Sequence, residues 1–329
     1  MSTAGAAPLW AFLVRRLAFA CLLVFFSSSA SLLLVRLGPG DVTTEMRIEG
    51  VSPAALQAER ARLNLDRSWL TQYSTWLGAA ARLDFGMSFR YGRPVGPLVL
   101  ERARNTGVLA LSALLLATCV GIPLGIFTAT HPQTAATRLI RFASVFALSW
   151  PSMLLSLVFA ALAARTGWLP IGGMRSALTS ADALSQVLDL GRHLVLPAAA
   201  LAIPVGATFE RLQSGALSAS LEHPCVTAAA TRGIPKTRLY FRHALRLALT
   251  PLVSVYGIVA GGLLGGSFGV EIVTAWPGLG RLLYEALISR DVYLVAGCAA
   301  VGSIFIATTT LASDLVAAWN DPRLREGAQ

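Results

Sequence analysis

Six long apolar runs organise this 329-residue chain: 17–35, 106–130, 142–164, 194–209, 247–270 and 292–313. A buried strand is about 4–8 residues long, whereas a membrane-spanning helix needs about 20 apolar residues. The runs therefore predict helices and an all-α polytopic membrane protein with six transmembrane helices. The run 194–209 is short and is expected to continue past Glu210 and Arg211. The first run follows Arg15-Arg16, and Ser27 to Ala30 imitates a signal cleavage region. It is long for a signal core, and five more runs follow, so an uncleaved first span is expected.

Two polar segments stand out between the runs. In the long one, 36–105, the pattern predicts an amphipathic helix over 53–65. A second helical stripe follows, built from Trp69, Tyr73, Trp76, Leu77 and Leu83. Such a stripe anchors in outer headgroups or docks an extracytoplasmic partner, and the two are compatible. The other segment, 210–246, turns amphipathic and basic. Pro224 opens a short helix over 225–232, Gly233 ends it, and Pro235 confirms the stop. A second basic helix begins near Lys236, with Leu239, Tyr240, Ala244, Leu245 and Leu247 opposite Arg238, Arg242 and Arg246. It is expected to lie along the inner headgroups. Two short helices joined at Gly233 make a rigid protrusion that another protein can grip. In the fifth run Gly257, Gly261, Gly265 and Gly269 recur every fourth residue, on one helix face. That face serves helix packing, or a subunit seam or pathway.

Composition excludes an ordinary soluble enzyme. The chain is 55% hydrophobic and 13% charged, with mean hydropathy +0.63, against roughly 25% charge in soluble domains. The formal charge of +10 fits Arg-rich cytosolic loops and lipid headgroups better than a nucleic-acid partner. With the N-terminus inside, the cytosolic segments hold twelve Lys and Arg, and the two short outer loops hold five. The expected organisation is a cytosolic N-terminus and first span over 1–36, then an extracytoplasmic loop region over 37–105. A core of five spans over 106–318 carries a cytosolic loop at 215–246, and a cytosolic tail covers 319–329. Cys21, Cys119, Cys225 and Cys298 are scattered singly, which supports neither a zinc site nor a disulfide framework.

Candidate chemistry is sparse. Lys236 is the single lysine and follows Pro235, so no phosphate-binding loop is present. The four histidines lack metal-ligand spacing. Gly265-Gly266-Ser267-Phe268-Gly269 fits the G-x-S-x-G nucleophile elbow, but that motif works only on a strand-to-helix turn. A membrane-embedded serine hydrolase would depend on Ser267. A lone ion-coupled carrier would need ionisable groups deep in the spans. Five of the six runs have none in their cores, and the adjacent Glu210 and Arg211 read as a surface pair.

The loop resembles the EAA loop of permease subunits of bacterial ABC importers, with Ala228 and Ala229 at the alanines, Gly233 at the glycine and Thr227 where the family has Glu. The closer resemblance is to the peptide/nickel permease family, its dipeptide and oligopeptide branch. It is carried by Thr227 to Ile234 (TAAATRGI), Arg242-His243-Ala244-Leu245-Arg246 and Thr250-Pro251. Further matches are Leu37-Gly38-Pro39-Gly40-Asp41, Leu65-Asp66-Arg67, Leu83-Asp84-Phe85-Gly86-Met87-Ser88, the Gly121 to Gly125 stretch GIPLG and Leu169-Pro170-Ile171-Gly172-Gly173. Glu271 with Ala275-Trp276-Pro277-Gly278-Leu279-Gly280-Arg281, and Asp321-Pro322-Arg323, complete the set. Departures fall at Ser214 to Leu217 and at Pro224-Cys225, just before the loop helix.

The resemblance implies a type I ABC importer permease fold in the bacterial cytoplasmic (inner) membrane, with both termini cytosolic. It implies a second homologous permease subunit, two ATP-binding ABC subunits that hold the ATP and magnesium, and an extracytoplasmic substrate-binding protein. No cofactor or metal of the chain's own is expected, nor catalysis by this chain. Val226, Thr227, Ala228, Ala229, Arg232, Gly233 and Lys236 would couple to the ATPase. Glu271, Trp276, Pro277, Gly278 and Gly280 would form an outer gate, a binding-protein contact or simply a rigid turn. The cargo would be a peptide, or a nickel chelate, a glutathione-like thiol or an opine.

Overall fold

A computed structural model of the chain describes residues 9–38, 43–44, 51–62, 66, 68–176 and 182–320. The described residues are helical throughout, apart from turns and a single isolated bridge between Met87 and Pro94. The helices are α1 (Leu9–Leu37), α2 (Pro53–Arg62), α3 (Trp69–Ala80), α4 (Val95–Thr130), α5 (Ala135–Leu148) and α6 (Ser152–Thr166). Then come α7 (Ala183–Leu221), α8 (Pro224–Thr231), α9 (Lys236–Arg238), a π-helical turn (Leu239–Ala244), α10 (Leu245–Val273), α11 (Leu279–Ile288) and α12 (Val292–Asn320). Stretches of α1, α4, α7, α10 and α12 are long and apolar enough to cross a membrane. The remaining expected span, 142–164, falls on a bent pair of helices: α5 and α6 meet at 102° across Ser149-Trp150-Pro151. Pro151 has no N–H and holds extended backbone as the N-cap of α6, so the helix stops and restarts there. The motif residues Pro39, Gly40, Asp41, Leu65, Arg67 and Asp321 to Arg323, and the tail beyond 320, lie outside the described residues.

The chain divides into two compact units. The first is built mainly from 107–276. Its centre is α7, which packs against α5, α6 and α10. Leu109, Ala113, Ala117, Leu201, Phe209, Leu252 and Trp276 form its core. Phe209 stacks on Tyr256 with ring centroids 4.8 Å apart, and the Tyr256 hydroxyl pairs with Thr118 at 2.7 Å. The GIPLG motif explains how α4 reaches α7. A Cβ on Gly121 would strike the Gly206 carbonyl and the Phe209 Cβ, and one on Gly125 would come within 2.7 Å of Gln213 Cβ and the Glu210 carbonyl. Only glycine permits that approach.

The second unit comprises 14–106 and 277–305. Part of the aromatic stripe of α3 packs within this unit. Trp76 is buried with Leu32 and Ala296, flanked by Trp69 and Leu77, and Tyr73 pairs with Ser29 at 2.9 Å. Leu83 leaves the stripe: it is exposed at a φ of 63°. The turn after it is tied by Asp84 Oδ1, which accepts from Gly86 N at 2.9 Å.

Candidate functional site

The loop from 222 to 246 folds as two helical pieces with Gly233 between them. His223 is the N-cap of α8, its Nδ1 accepting from Cys225 N at 3.3 Å, and Pro224 follows at the first turn. The helix ends at Arg232, and Gly233 takes the left-handed φ of 78° with its N–H on the Ala230 carbonyl at 3.0 Å. One face of α8 is committed to the chain itself. Val226 and Ala229 are buried with Ala129 of α4, Leu217 of α7, and Leu239, Ala244 and Ala248. The opposite face is open: Cys225, Thr227, Ala228 and Thr231 are exposed, as are Arg232, Gly233 and Lys236 just beyond the helix. Of the residues expected to couple, Val226 and Ala229 are thus the seat of the helix, and the rest are exposed on it or just after it.

The second piece is not a separate helix. Lys236 begins α9, which passes through the π-helical turn 239–244 directly into α10. Leu239 and Ala244 are buried, while Arg238, Arg242 and Arg246 are exposed. A π turn widens the helix locally and shifts the register of its faces. The basic stripe therefore caps the start of a span.

The other end of α10 leads into the turn that holds Trp276 to Gly280. Glu271 and Trp276 are fully buried in the first unit. The Leu169 to Gly173 motif meets this turn: Gly173 N donates to the Thr274 carbonyl at 2.8 Å. A Cβ on Gly172 would overlap that same carbonyl. Ala275 sits at a φ of 50°, a conformation rare outside glycine. In the second unit, Asn105 Nδ2 donates to the Pro277 carbonyl at 2.8 Å, and Leu279 N donates to Thr106 Oγ1 at 2.7 Å. Gly278 is buried and Gly280 half-buried.

The glycine face of α10 is unevenly used. A Cβ on Gly269 would lie 3.1–3.2 Å from Met153, and one on Gly261 would lie 3.5 Å from Thr309. Gly257 is buried. A Cβ on Gly262, Gly265 or Gly266 would meet no other part of the described chain within 4 Å. The G-x-S-x-G match lies inside this continuous helix. The Ser267 hydroxyl is buried, 3.0 Å from the Leu264 carbonyl and 3.0 Å from Glu271 Oε1. The strand-to-helix turn an elbow needs is absent there.

Two buried acids were not singled out as buried by the sequence pattern. Glu210 is 1% exposed, and Thr128 Oγ1 donates to its Oε1 at 2.7 Å. Its neighbour Arg211 is exposed, so the expected surface pair does not form. Asp291 is fully buried and receives Ser88 Oγ at 2.6 Å, Arg90 N at 3.1 Å and Leu294 N at 3.1 Å. It links the Leu83 to Ser88 motif to the start of α12. An Asp directly before an apolar run is the available signal for that cap. On the same unit, Tyr91 donates to Glu285 Oε2, and Arg281 Nε donates to Glu285 Oε1 at 3.0 Å.

Comparison with known proteins narrows what this arrangement is for. Residues 121–326 match the family model described as "Binding-protein-dependent transport system inner membrane component". The chain is 29% identical over 316 residues to the oligopeptide transport system permease protein AppB of Bacillus subtilis (strain 168), covering 95% of this chain and 99% of that protein. It is 27% identical over 324 residues to the oligopeptide transport system permease protein OppB of Mycobacterium bovis, covering 95% and 98%. Among solved structures it resembles a chain from inward-facing conformations of the MetNI methionine ABC transporter. That match has a TM-score of 0.50 at 19% identity and covers 68% of this chain and 96% of that one. At that identity the likeness is one of fold.

Proposed function

The chain belongs to the family of binding-protein-dependent transport system inner membrane components, and from that premise we propose that it is the permease subunit of a peptide importer driven by separate ATPase chains. Its relatives are oligopeptide permeases across nearly their whole length, which supports a peptide as cargo. The family is one of ABC importer permeases, so the chain works as a multi-pass membrane protein and a transporter subunit. Its partners in this reading are a second permease, two ATP-binding subunits and an extracytoplasmic binding protein. Both termini then lie in the cytosol.

The observation that carries the reading is the two-sidedness of α8. Val226 and Ala229 seat the helix on the ends of α4, α7 and α10, while Thr227, Ala228 and Arg232 are left open. An ATPase gripping the open face moves a short rigid lever, and the buried face hands that motion to three spans at once. ATP biases the cycle only through its different affinities for the two ends of that motion. Thr227 stands where a carboxylate would otherwise meet the partner, so the grip rests on shape, apolar contact and Arg232. The turn holding Glu271, Trp276, Pro277, Gly278 and Gly280 is the outer gate or the binding-protein contact in this scheme.

Gly233→Asp tests the coupling role. Aspartate tolerates a left-handed φ better than most residues, and no atom lies within 4 Å of a Cβ there. The variant is expected to insert and fold normally, yet to lose uptake and stimulation of the ATPase. Wild-type uptake by Gly233→Asp in proteoliposomes would sink the coupling proposal. Transport by the purified chain alone under an ion gradient would replace it with an ion-coupled carrier.

A further inference from the structure

Glu210 and Gln213 sit one turn apart on α7, pressed against α4 at Thr128 and Gly125. They are 1% and 0% exposed. Thr128 satisfies one carboxylate oxygen of Glu210. Among the described residues, Glu210 Oε2 and both amide atoms of Gln213 have no hydrogen-bond partner. No ion pair among those residues joins Glu210 to a basic side chain. Buried polar atoms are nearly always paired, and a buried carboxylate calls most strongly for a cation.

Glu210 also forms part of the wall of a cavity of about 310 Å³ between α4, α5 and α7. Apart from Glu210 and Ser144 the wall is apolar, with Leu116, Val120, Ile140 and Ile203 prominent in it. The volume falls at the lower end of the range for small-molecule sites, and an apolar lining with a few polar groups is their usual make-up. Such a wall cannot replace the oxygen shell of a hydrated metal ion. It suits an apolar body, and the acid suits a positive end.

We infer that this cavity binds a primary ammonium group carried on an apolar body, with Glu210 as its counter-ion. A primary ammonium carries a positive charge and N–H donors but no acceptor, which suits the carboxylate of Glu210. The free oxygen of Glu210 is covered by protein in this structure, and the Thr128 hydroxyl holds the carboxyl in that place. Binding requires the Glu210 side chain to turn into the cavity, exchanging the covered position for the ligand's charge. Two sources carry this chemistry: the amino end of a cargo peptide and the headgroup of phosphatidylethanolamine. The site does not depend on the cargo being a peptide.

The test uses the full-length chain, with whatever subunits copurify, in phosphatidylglycerol nanodiscs, with hexylammonium as the probe and hexanol as its neutral counterpart. Calorimetry is expected to show saturable hexylammonium binding. Glu210→Gln, which keeps the side-chain shape, should weaken it roughly tenfold to a hundredfold, as loss of one charge-assisted hydrogen bond does. Ala202→Phe places a ring in the cavity wall without touching the charge and should also weaken binding. If Ala202→Phe does not fold, Glu210→Gln decides. The absence of hexylammonium binding, or equal binding by wild type and Glu210→Gln, would overturn the inference. Competition by Leu-Ala but not by N-acetyl-Leu-Ala assigns the site to cargo. Weakening of hexylammonium in phosphatidylethanolamine nanodiscs assigns it to lipid. Binding is read without transport, so failure of the importer reading would show separately, as absent uptake by a chain that still binds the probe.

Discussion

Glu285 shows how one residue sets a pH response. Burial pushes its pKa up, but the Tyr91 hydroxyl, the Arg281 guanidinium and the Arg102 charge outweigh that and hold it below the ordinary 4.5. The stabilisation is therefore complete above pH 4.5 and is lost as pH falls through the lower folded value. Thermal unfolding of Glu285→Gln should lie furthest below wild type near neutral pH, with the gap closing in acid. A gap that widens in acid would contradict the sign. Tyr91 answers from the other side: burial, then its bond to the Glu285 carboxylate, keep its proton on above the ordinary 10.0. That contribution is lost only as pH rises through the raised folded value. Asp291 is the stricter case, because it is fully buried with three donors on it. Asp291→Ala leaves those donors without their acceptor and should cost about 3 kcal/mol, read as a drop in unfolding temperature. Adjacent residues taught less. Glu210 and Arg211 are neighbours in sequence, but successive helical residues point about 100° apart. One goes to the core and the other to the surface, so adjacency in the sequence misleads about pairing.

At the scale of elements, the crossing of α4 and α7 makes an asymmetric prediction from two glycines. Gly121→Ala puts a Cβ onto the Gly206 carbonyl and 2.9 Å from Phe209 Cβ, so two backbones must part. Overpacking of that kind costs about 1–3 kcal/mol and should reduce the yield of monodisperse protein on size exclusion. Gly206→Ala meets its nearest atoms only at 3.6 Å and should be recovered at near wild-type yield. The two variants behaving alike would mean the crossing is not set by Gly121. Trp76 gives a second measure of element packing. It is buried on Leu32 and Ala296, so Trp76→Ala should cost about 3–5 kcal/mol. A stripe that only rested in headgroups would lose far less. The alternation of aromatic and polar residues in α3 was legible as an amphipathic helix. Its inward direction was not, because an apolar face reads the same whether protein or lipid covers it.

For the whole molecule, the importer reading predicts an assembly. Purification in mild detergent should bring down a second permease and two ATP-binding chains with this one, and a stable, active lone chain would refute it. The sequence by itself determined the all-helical, multi-span character, because runs of about 20 apolar residues leave the backbone no other way to satisfy its hydrogen bonds in lipid. It also determined the loop helix that starts at Pro224 and ends at Gly233, since a missing N–H and a left-handed φ are local properties of those residues. The family motifs were equally plain as strings. What they do was decided by tertiary structure alone: GIPLG as a helix crossing, the Gly172-Gly173 pair as a brace on Thr274, Ser88 as a donor to Asp291. The merging of the basic stripe into α10 through a π turn and the burial of Glu210 belong to the same class. Each depends on which surface a residue meets across tens or hundreds of positions, and periodicity along one helix carries no information about its neighbour.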